Sequence, residues 1–556
     1  MVSDTISSPL NPSSCAWEQS SQDSSLWQRR ALSNECMWLP RPKDLHELFI
    51  CTSITINSPI PRPTLDSAAT RAWQILRFQV PELAAHAACS KDGAEDRVVY
   101  MQYQTPHSQA EVDAWIDRTR HSEAGRDLHD FGSLRAKVLV KKHKHVSDKA
   151  FILLYSQARG DSRDLVENVQ IMLYVDHQVM DGTGIKIVLG KYLSLLASTI
   201  NKPGEILHGE IKWEESYKNL SIPWIQHMNE DQVISGPKYE QTVAWNRDII
   251  LGKMKTNPGL TLSHTTNPVT QETHFITLSP TQTSTILQAI KDVLGPSSNI
   301  THLCHAAMVL ALLRASSIST SASATQTLYS PCWLNGRRYL SPTPPCPSPK
   351  TDYIPICLSF APIIFTDLDE LVLSSTATRC EMRDKLLKAC RMSTEQYINI
   401  REKKSMLPET VNLFEDIARM MLQSNTNNPT NLADPKPNPQ NYHTSHKPPQ
   451  TAEPFFLSDG LIEQYILHTY PSSQSTSAST SPSPSPPTLR VKTVHFAAHA
   501  EQNLIVRMSS WRGSTTISGE WRGCDYEDGV IVRFLEDVVG IMGVLVENDG
   551  WIGRDL

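Results

Sequence analysis

The arrangement of apolar and polar positions divides the chain into recognisable elements. Residues 169–177, VQIMLYVDH, form a near-continuous apolar run, the pattern of a strand buried on both faces. Immediately afterwards Ile185, Val188, Leu189, Tyr192, Leu195 and Leu196 recur at helical spacing, which predicts a helix over 183–199. A second helix is predicted over 64–83, with Asp66 or Ser67 as cap, Ala69, Trp73 and Leu76 on one face, and Pro81 as stop. FGSLRAKVLVKK and AFILLYSQ resemble two strands joined by a basic tip at Lys141–His145. Further along, Ser279 and Pro280 open a helix over 279–295, and a strongly apolar helix follows over 299–316. Strands are expected within 45–56, 327–340, 353–365, 489–499, 503–513 and 514–521, with a closing helix over 526–545.

Strands interspersed with helices make this an α/β chain, and 556 residues exceed one hydrophobic core. The expected organisation is a flexible tail over 1–25, an N-terminal lobe over 26–205, an irregular crossover over 206–270 and a C-terminal lobe over 271–556. Two polar, proline-rich stretches near 424–450 and 471–488 read as disordered insertions in that lobe. A net charge of −6 argues against an electrostatic nucleic-acid binder. Eleven cysteines without a C-x-x-C pair suggest neither zinc nor a disulfide framework, so no metal is expected. The polar N-terminus lacks a signal-peptide core and AAMVLALL is too short to span a bilayer, so the expectation is a cytoplasmic protein without a membrane partner.

The strand-to-helix junction carries the candidate chemistry. His177 ends the apolar run, and Asp181 and Gly182 open the helix, giving H-x-x-x-D-G between two rigid elements. There is no G-x-S-x-G nucleophile elbow, no H-E-x-x-H and no glycine-rich phosphate loop. Two readings stay open from the residues alone. Either His177 is a packed core histidine beside a helix cap supplied by Asp181, or it is a general base held at a cleft. Val179 and Met180 read as core, as do His302 and His305 in the apolar helix.

With this junction in view, six stretches occur in an order that resembles the CoA-dependent acyltransferases of the chloramphenicol acetyltransferase fold, and most closely the fungal trichothecene 15-O-acetyltransferase type. They are WQRRALSNECMW, DHQVMDGTG, ITHLCHAAMVLAL, WLNGRRYL, PFFLSDGLIEQYI and SSWRGSTTISGEW. The resemblance implies two chloramphenicol-acetyltransferase-like lobes, each a mixed sheet with helices, and an active-site tunnel between them. It implies acyl transfer, most simply of acetyl, from acyl-CoA to a hydroxyl of a secondary metabolite such as a terpenoid or polyketide alcohol. His177 would be the general base, without a covalent intermediate or a permanently bound cofactor. Asp181 would form a structural ion pair with an arginine of the second lobe, Arg337 before Arg338 as the partner. Gly182 would either allow a sharp turn or simply begin the helix. The expected partners are acyl-CoA and a small-molecule alcohol, acting on a monomer.

Two departures qualify the resemblance. Asp176 stands where condensation domains carry a second histidine, which favours O-acylation over peptide-bond formation. No D-F-G-W-G block occurs near the C-terminus. The alternatives are a condensation-like enzyme that uses a carrier-protein thioester, and a non-catalytic relative that binds a small molecule.

Overall fold

The strand Ser162–Asp176, which delivers the chain to His177, lies inside a six-stranded sheet. The order is Thr469–Tyr470, Leu489–Ala498, Glu47–Pro61, Ser162–Asp176, Ala150–Arg159, Arg120–Gly125. All pairings are antiparallel except the last, which is parallel. The computed structural model describes residues 15–32, 34–38, 46–89, 98–159, 162–201, 211–263, 270–316, 327–342, 346, 348–374, 376–426, 451–470 and 488–546.

Residues 169–176 are buried at every position, as a strand covered on both faces must be. On one side Phe49, Cys51, Phe151, Leu153, Met172 and Tyr174 pack with Leu134 and Val138 of helix Phe131–Lys144. Helices Arg62–Gln79 and Gly182–Asn201 pack on each other and against the same central strands. Glu47 is paired with Asp176, so this register places His46 beside the point where the chain turns at His177.

The structure divides into two units that alternate along the chain. One comprises Met1–Glu230, Arg337–Cys357 and Ile462–Ala498; the other comprises Asp231–Gly336, Leu358–Leu461 and His499–Leu556. Their boundaries therefore differ from those expected at 205 and 271. Leu489–Ala498 pairs with Glu47–Pro61 and belongs to the sheet that carries His177, despite its late position in sequence. In the second unit a four-stranded sheet runs Gln271–Leu278, Ser514–Arg522, Ile505–Trp511, Phe455–Leu461. Helix Ile300–Ala315, apolar all round, packs against helices Arg379–Glu402 and Asp528–Gly543. His302 and His305 are core residues there, bonded to Thr394, Tyr397 and Ser330.

Several local expectations are corrected. Residues 131–144 are a helix rather than a strand, capped by the Asp130 carboxylate on the Ser133 N–H. Phe131, Leu134 and Val138 share its inner face, and the basic run forms its last turn, where cations suit the helix dipole. Lys142 is buried against Glu47 at 2.8 Å instead of lying at a solvated tip. The helix after Pro61 starts at Arg62, so Asp66 is not its cap and pairs with Arg120. Pro237–Leu251 is helical within the segment expected to be irregular. Residues 15–25 are partly packed, with Cys15 and Ser25 buried, rather than a loose tail. Residues 424–426 end helix Glu409–Thr426, and the remainder of the two proline-rich stretches, 427–450 and 471–487, lies outside the described residues. All eleven cysteines are free thiols.

Helix Gly182–Asn201 is long and apolar enough to cross a membrane by length and composition, yet 67% of that window is buried within the fold. Its burial is made close by glycine. A Cβ at Gly184 would fall on the carbonyl oxygen of Ile354, and one at Gly190 on that of Tyr465. Alanine is normally the better helix former by about 1 kcal/mol. At Gly190 the order is reversed, because backbone has to move. Gly190→Ala is expected to destabilise by about 1–3 kcal/mol or more, measured by urea unfolding; a stabilised variant would show that this approach is not tight.

Candidate functional site

Asp181 caps helix Gly182–Asn201 and anchors it at once. Its Oδ1 accepts the backbone N–H groups of Thr183 (3.0 Å) and Gly184 (2.8 Å), two of the orphan donors of a first helical turn. The same carboxylate receives both terminal nitrogens of Arg337, at 2.9 and 3.0 Å, and the Cys357 N–H at 2.9 Å. Neither side chain of the pair has any exposed surface. Arg337 also donates to the carbonyls of Tyr353, Ile354 and Pro355. Burial alone would raise the Asp181 carboxyl; the Arg337 charge and the donated hydrogen bonds outweigh it and hold the group below its ordinary value.

Arg337 belongs to the segment Arg337–Cys357, which groups with the unit containing His177. The ion pair is thus internal to one unit rather than a link supplied from the second lobe. The strand Leu328–Asn335 ends in the tight turn Gly336–Tyr339, and this turn buries Arg337 while leaving Arg338 exposed. Arg338 makes no part of the site.

His177 sits in the turn between strand and helix, half-buried. Its backbone N–H donates to the His46 carbonyl at 2.6 Å. The imidazole stacks on the Trp38 indole, with centroids 4.0 Å apart and planes 22° apart. Burial pushes the imidazole down to about 4, against smaller upward influences from Asp181, its own backbone carbonyl and Asp176. Nδ1 is buried with no hydrogen-bond partner among the described residues. The ring is therefore neutral near pH 7 and free to accept a proton.

Asp176 is committed elsewhere. Its carboxylate takes Lys149 at 3.0 Å and the Gln178 N–H at 2.9 Å, and lies 3.5 Å from the His46 ring. Burial would raise this group, but the His46 ring and the Lys149 charge hold it down at about 2. Gly182 is not in a left-handed conformation, so no sharp turn demands it. A Cβ there would instead press on the Phe496 ring at 3.0 Å, making close approach the reason for glycine. Trp38, His46 and Lys149 escaped the sequence reading as site residues, although Trp38 closes the quoted stretch WQRRALSNECMW.

Comparison with known proteins places this arrangement. The model of the 15-O-acetyltransferase Tri3 family matches residues 7–415. The chain belongs to that family. It is accordingly an O-acetyltransferase, as the sequence stretches implied. Among Tri3-type relatives, the trichothecene 15-O-acetyltransferase TRI3 of Fusarium sporotrichioides is 23% identical over 96% of this chain and 97% of its own. The trichothecene O-acetyltransferase TRI3 of Trichoderma arundinaceum is 22% identical over the same shares. The solved structure of the Fusarium TRI3 enzyme superimposes with a TM-score of 0.78, at 20% identity, covering 97% of this chain and 100% of that one. A condensation domain of the polyketide synthase MokA shares the fold more distantly, with a TM-score of 0.53 and 10% identity over 94% of this chain and 98% of that one. These likenesses bear out the two-lobed chloramphenicol-acetyltransferase-like fold.

The buried pair makes a quantitative prediction. Asp181→Ala strands the Arg337 charge and is expected to cost about 3–5 kcal/mol, read as a lowered urea midpoint. Combining it with Arg337→Leu should cost less than the sum of the two single changes, since neither charge is then left alone. Additive losses would show that the two side chains are energetically independent.

Proposed function

We propose that the protein moves an acetyl group from acetyl-CoA to a hydroxyl of a trichothecene-type terpenoid alcohol, with His177 as general base. Family membership and the trichothecene-acetylating relatives support the donor and the acceptor class. The observation that carries the residue assignment is a neutral, half-buried imidazole at a strand end, held by its backbone and flanked by two carboxylates already committed to cations.

An alcohol attacks a thioester poorly unless its proton leaves as the carbon–oxygen bond forms. His177 takes that proton, the thioester carbonyl passes through a tetrahedral adduct, and the departing CoA thiolate takes the proton back. Positioned general-base help of this kind contributes about 10²–10⁴ in rate. Asp181 does not touch the proton; ionised and saturated with donors, it fixes the helix start next to the base. The thioester is already an activated acyl donor, so a serine or cysteine acyl-enzyme is not required.

The pH dependence follows from the depressed imidazole. Its neutral form is the one that folding favours. The associated stability is fully present above the ordinary value of 6.5 and is lost as pH falls towards about 4. The active form follows the same direction: kcat/KM should be flat through neutrality and fall only as pH approaches about 4. Free-thiol release from acetyl-CoA, with trichothecene alcohols bearing a free 15-hydroxyl as acceptors, tests the reading. Wild-type turnover should drop by about 10²-fold or more in His177→Ala, with its melting transition retained. Undiminished turnover in that variant sinks the assignment of the base.

A further inference from the structure

Among the described residues, no hydrogen bond to Nδ1 fixes the plane of the His177 ring. In many sites the second imidazole nitrogen bonds a carboxylate or carbonyl, which sets both tautomer and orientation. Here Nδ1 has no hydrogen-bond partner among the described residues, and Asp181 and Asp176 are committed to Arg337 and Lys149. What the ring lies against is the indole of Trp38, face to face at 4.0 Å.

The short helix that carries the indole is braced by a built device. Strand Leu26–Arg30 places Arg29 against Glu35, the first residue of the short helix Glu35–Trp38. The pair is bidentate, at 2.7 and 2.6 Å, and both side chains are buried. Glu35 also accepts the Leu32 N–H at 2.9 Å, closing the loop between strand and helix. Trp38 meets a second member of the site as well: its ring packs edge-on to His46, with centroids 5.6 Å apart. His46 in turn holds the His177 N–H through its carbonyl, and its ring sits by Asp176 and Gln178. The segment thus grips the histidine from the ring side while His46 grips it from the backbone side.

We propose that Trp38 is the positioning residue of His177, its indole fixing the imidazole plane and keeping water from one face, with the buried Arg29–Glu35 pair holding the indole in place. This rests on the reading of His177 as general base. The charged and titratable groups around the imidazole are His46, Asp176 with Lys149, and Asp181 with Arg337. An aromatic face attracts an imidazolium and would raise its affinity for a proton. Exclusion of water acts the other way, and burial is the largest influence on this imidazole. Removing the indole should therefore move the titration up towards 6.5.

The test pairs a chemical readout with kinetics. Diethyl pyrocarbonate acylates only neutral imidazole, so the pH dependence of His177 modification, followed by peptide mass spectrometry, reports its titration without turnover. In Trp38→Ala the midpoint should rise and modification should quicken. With acetyl-CoA and a 15-hydroxy trichothecene, kcat should fall by up to about 10²-fold, the scale of a misplaced catalytic group, with KM for acetyl-CoA unchanged. Trp38→Phe, which keeps a flat face, should recover most of both. Should Trp38→Ala not fold, Trp38→Leu makes the same comparison with the bulk retained. An unmoved midpoint with unchanged kcat, an effect on KM alone, or Phe no better than Ala overturns the proposal. Full activity in His177→Gln overturns the base reading instead, and the modification midpoint still judges the stacking.

Discussion

A carboxylate and a guanidinium with no exposed surface between them are the constraint on which this site depends. Asp181 and Arg337 cannot be solvated, so each has to find its partners within the protein, and together they fix three segments. The Thr183 and Gly184 amides tie in the start of helix Gly182–Asn201, and the Cys357 amide ties in the chain beyond it. The carbonyls of Tyr353, Ile354 and Pro355 complete the guanidinium. Buried pairs are not generally a source of net stability compared with apolar packing. Their effect is specificity: few other arrangements of these segments would satisfy so many donors. A turn locked in this way gives the preceding histidine little backbone freedom.

The site divides its labour between two carboxylates and one imidazole by burial and partnership. Both acids are ionised because each has a cation and amide donors to offset burial. For His177 burial is the largest influence, with His46 acting in the same direction, and together they outweigh the attraction of Asp181 and Asp176. On the proposed role for His177, the consequence is a base that is always available but intrinsically weak. Such a group takes a proton readily only when the nucleophile is already committed to the carbonyl, which suits attack by an alcohol on an activated thioester. A stronger base tied to a free carboxylate would gain driving force but would be protonated for more of the time near neutrality.

The central strand and the helix beyond it were legible because burial on both faces leaves a continuous apolar run, and one buried face leaves a 3.6-residue period. The Ser279 cap and the Pro280 start were announced by their residues, and Gln282 completes the capping box in the fold. Residues 131–144 were misread because Val138, Leu139 and Val140 are equally at home in a strand, and only the tertiary packing of Leu134 and Val138 selects helix. The resemblance put Arg337 before Arg338, but the physical reason, the way a tight turn buries one side chain and exposes its neighbour, is visible only in the fold. The interleaving of the two units was invisible, since pairing of Leu489–Ala498 with Glu47–Pro61 joins strands far apart in sequence. Trp38 and His46 were hidden for the same reason: nothing local marks a residue whose role is set by what folds on top of it.

The fold is shared with condensation domains, so the chemistry must be decided by side chains rather than topology. The residue before His177 is the most informative of these. A histidine in that position would add a second titratable donor and acceptor beside the base. Asp176 adds neither. It stays ionised, faces Lys149 and His46, and receives the Gln178 amide, so its lone pairs are occupied within the strand ends. It lies by the ring of His46, whose carbonyl holds the backbone of His177. A single imidazole suffices for an alcohol, which has one proton to lose and a thiolate leaving group able to take it back. Ionised and held by Lys149 beside His46, Asp176 is part of the frame around the turn rather than a proton carrier.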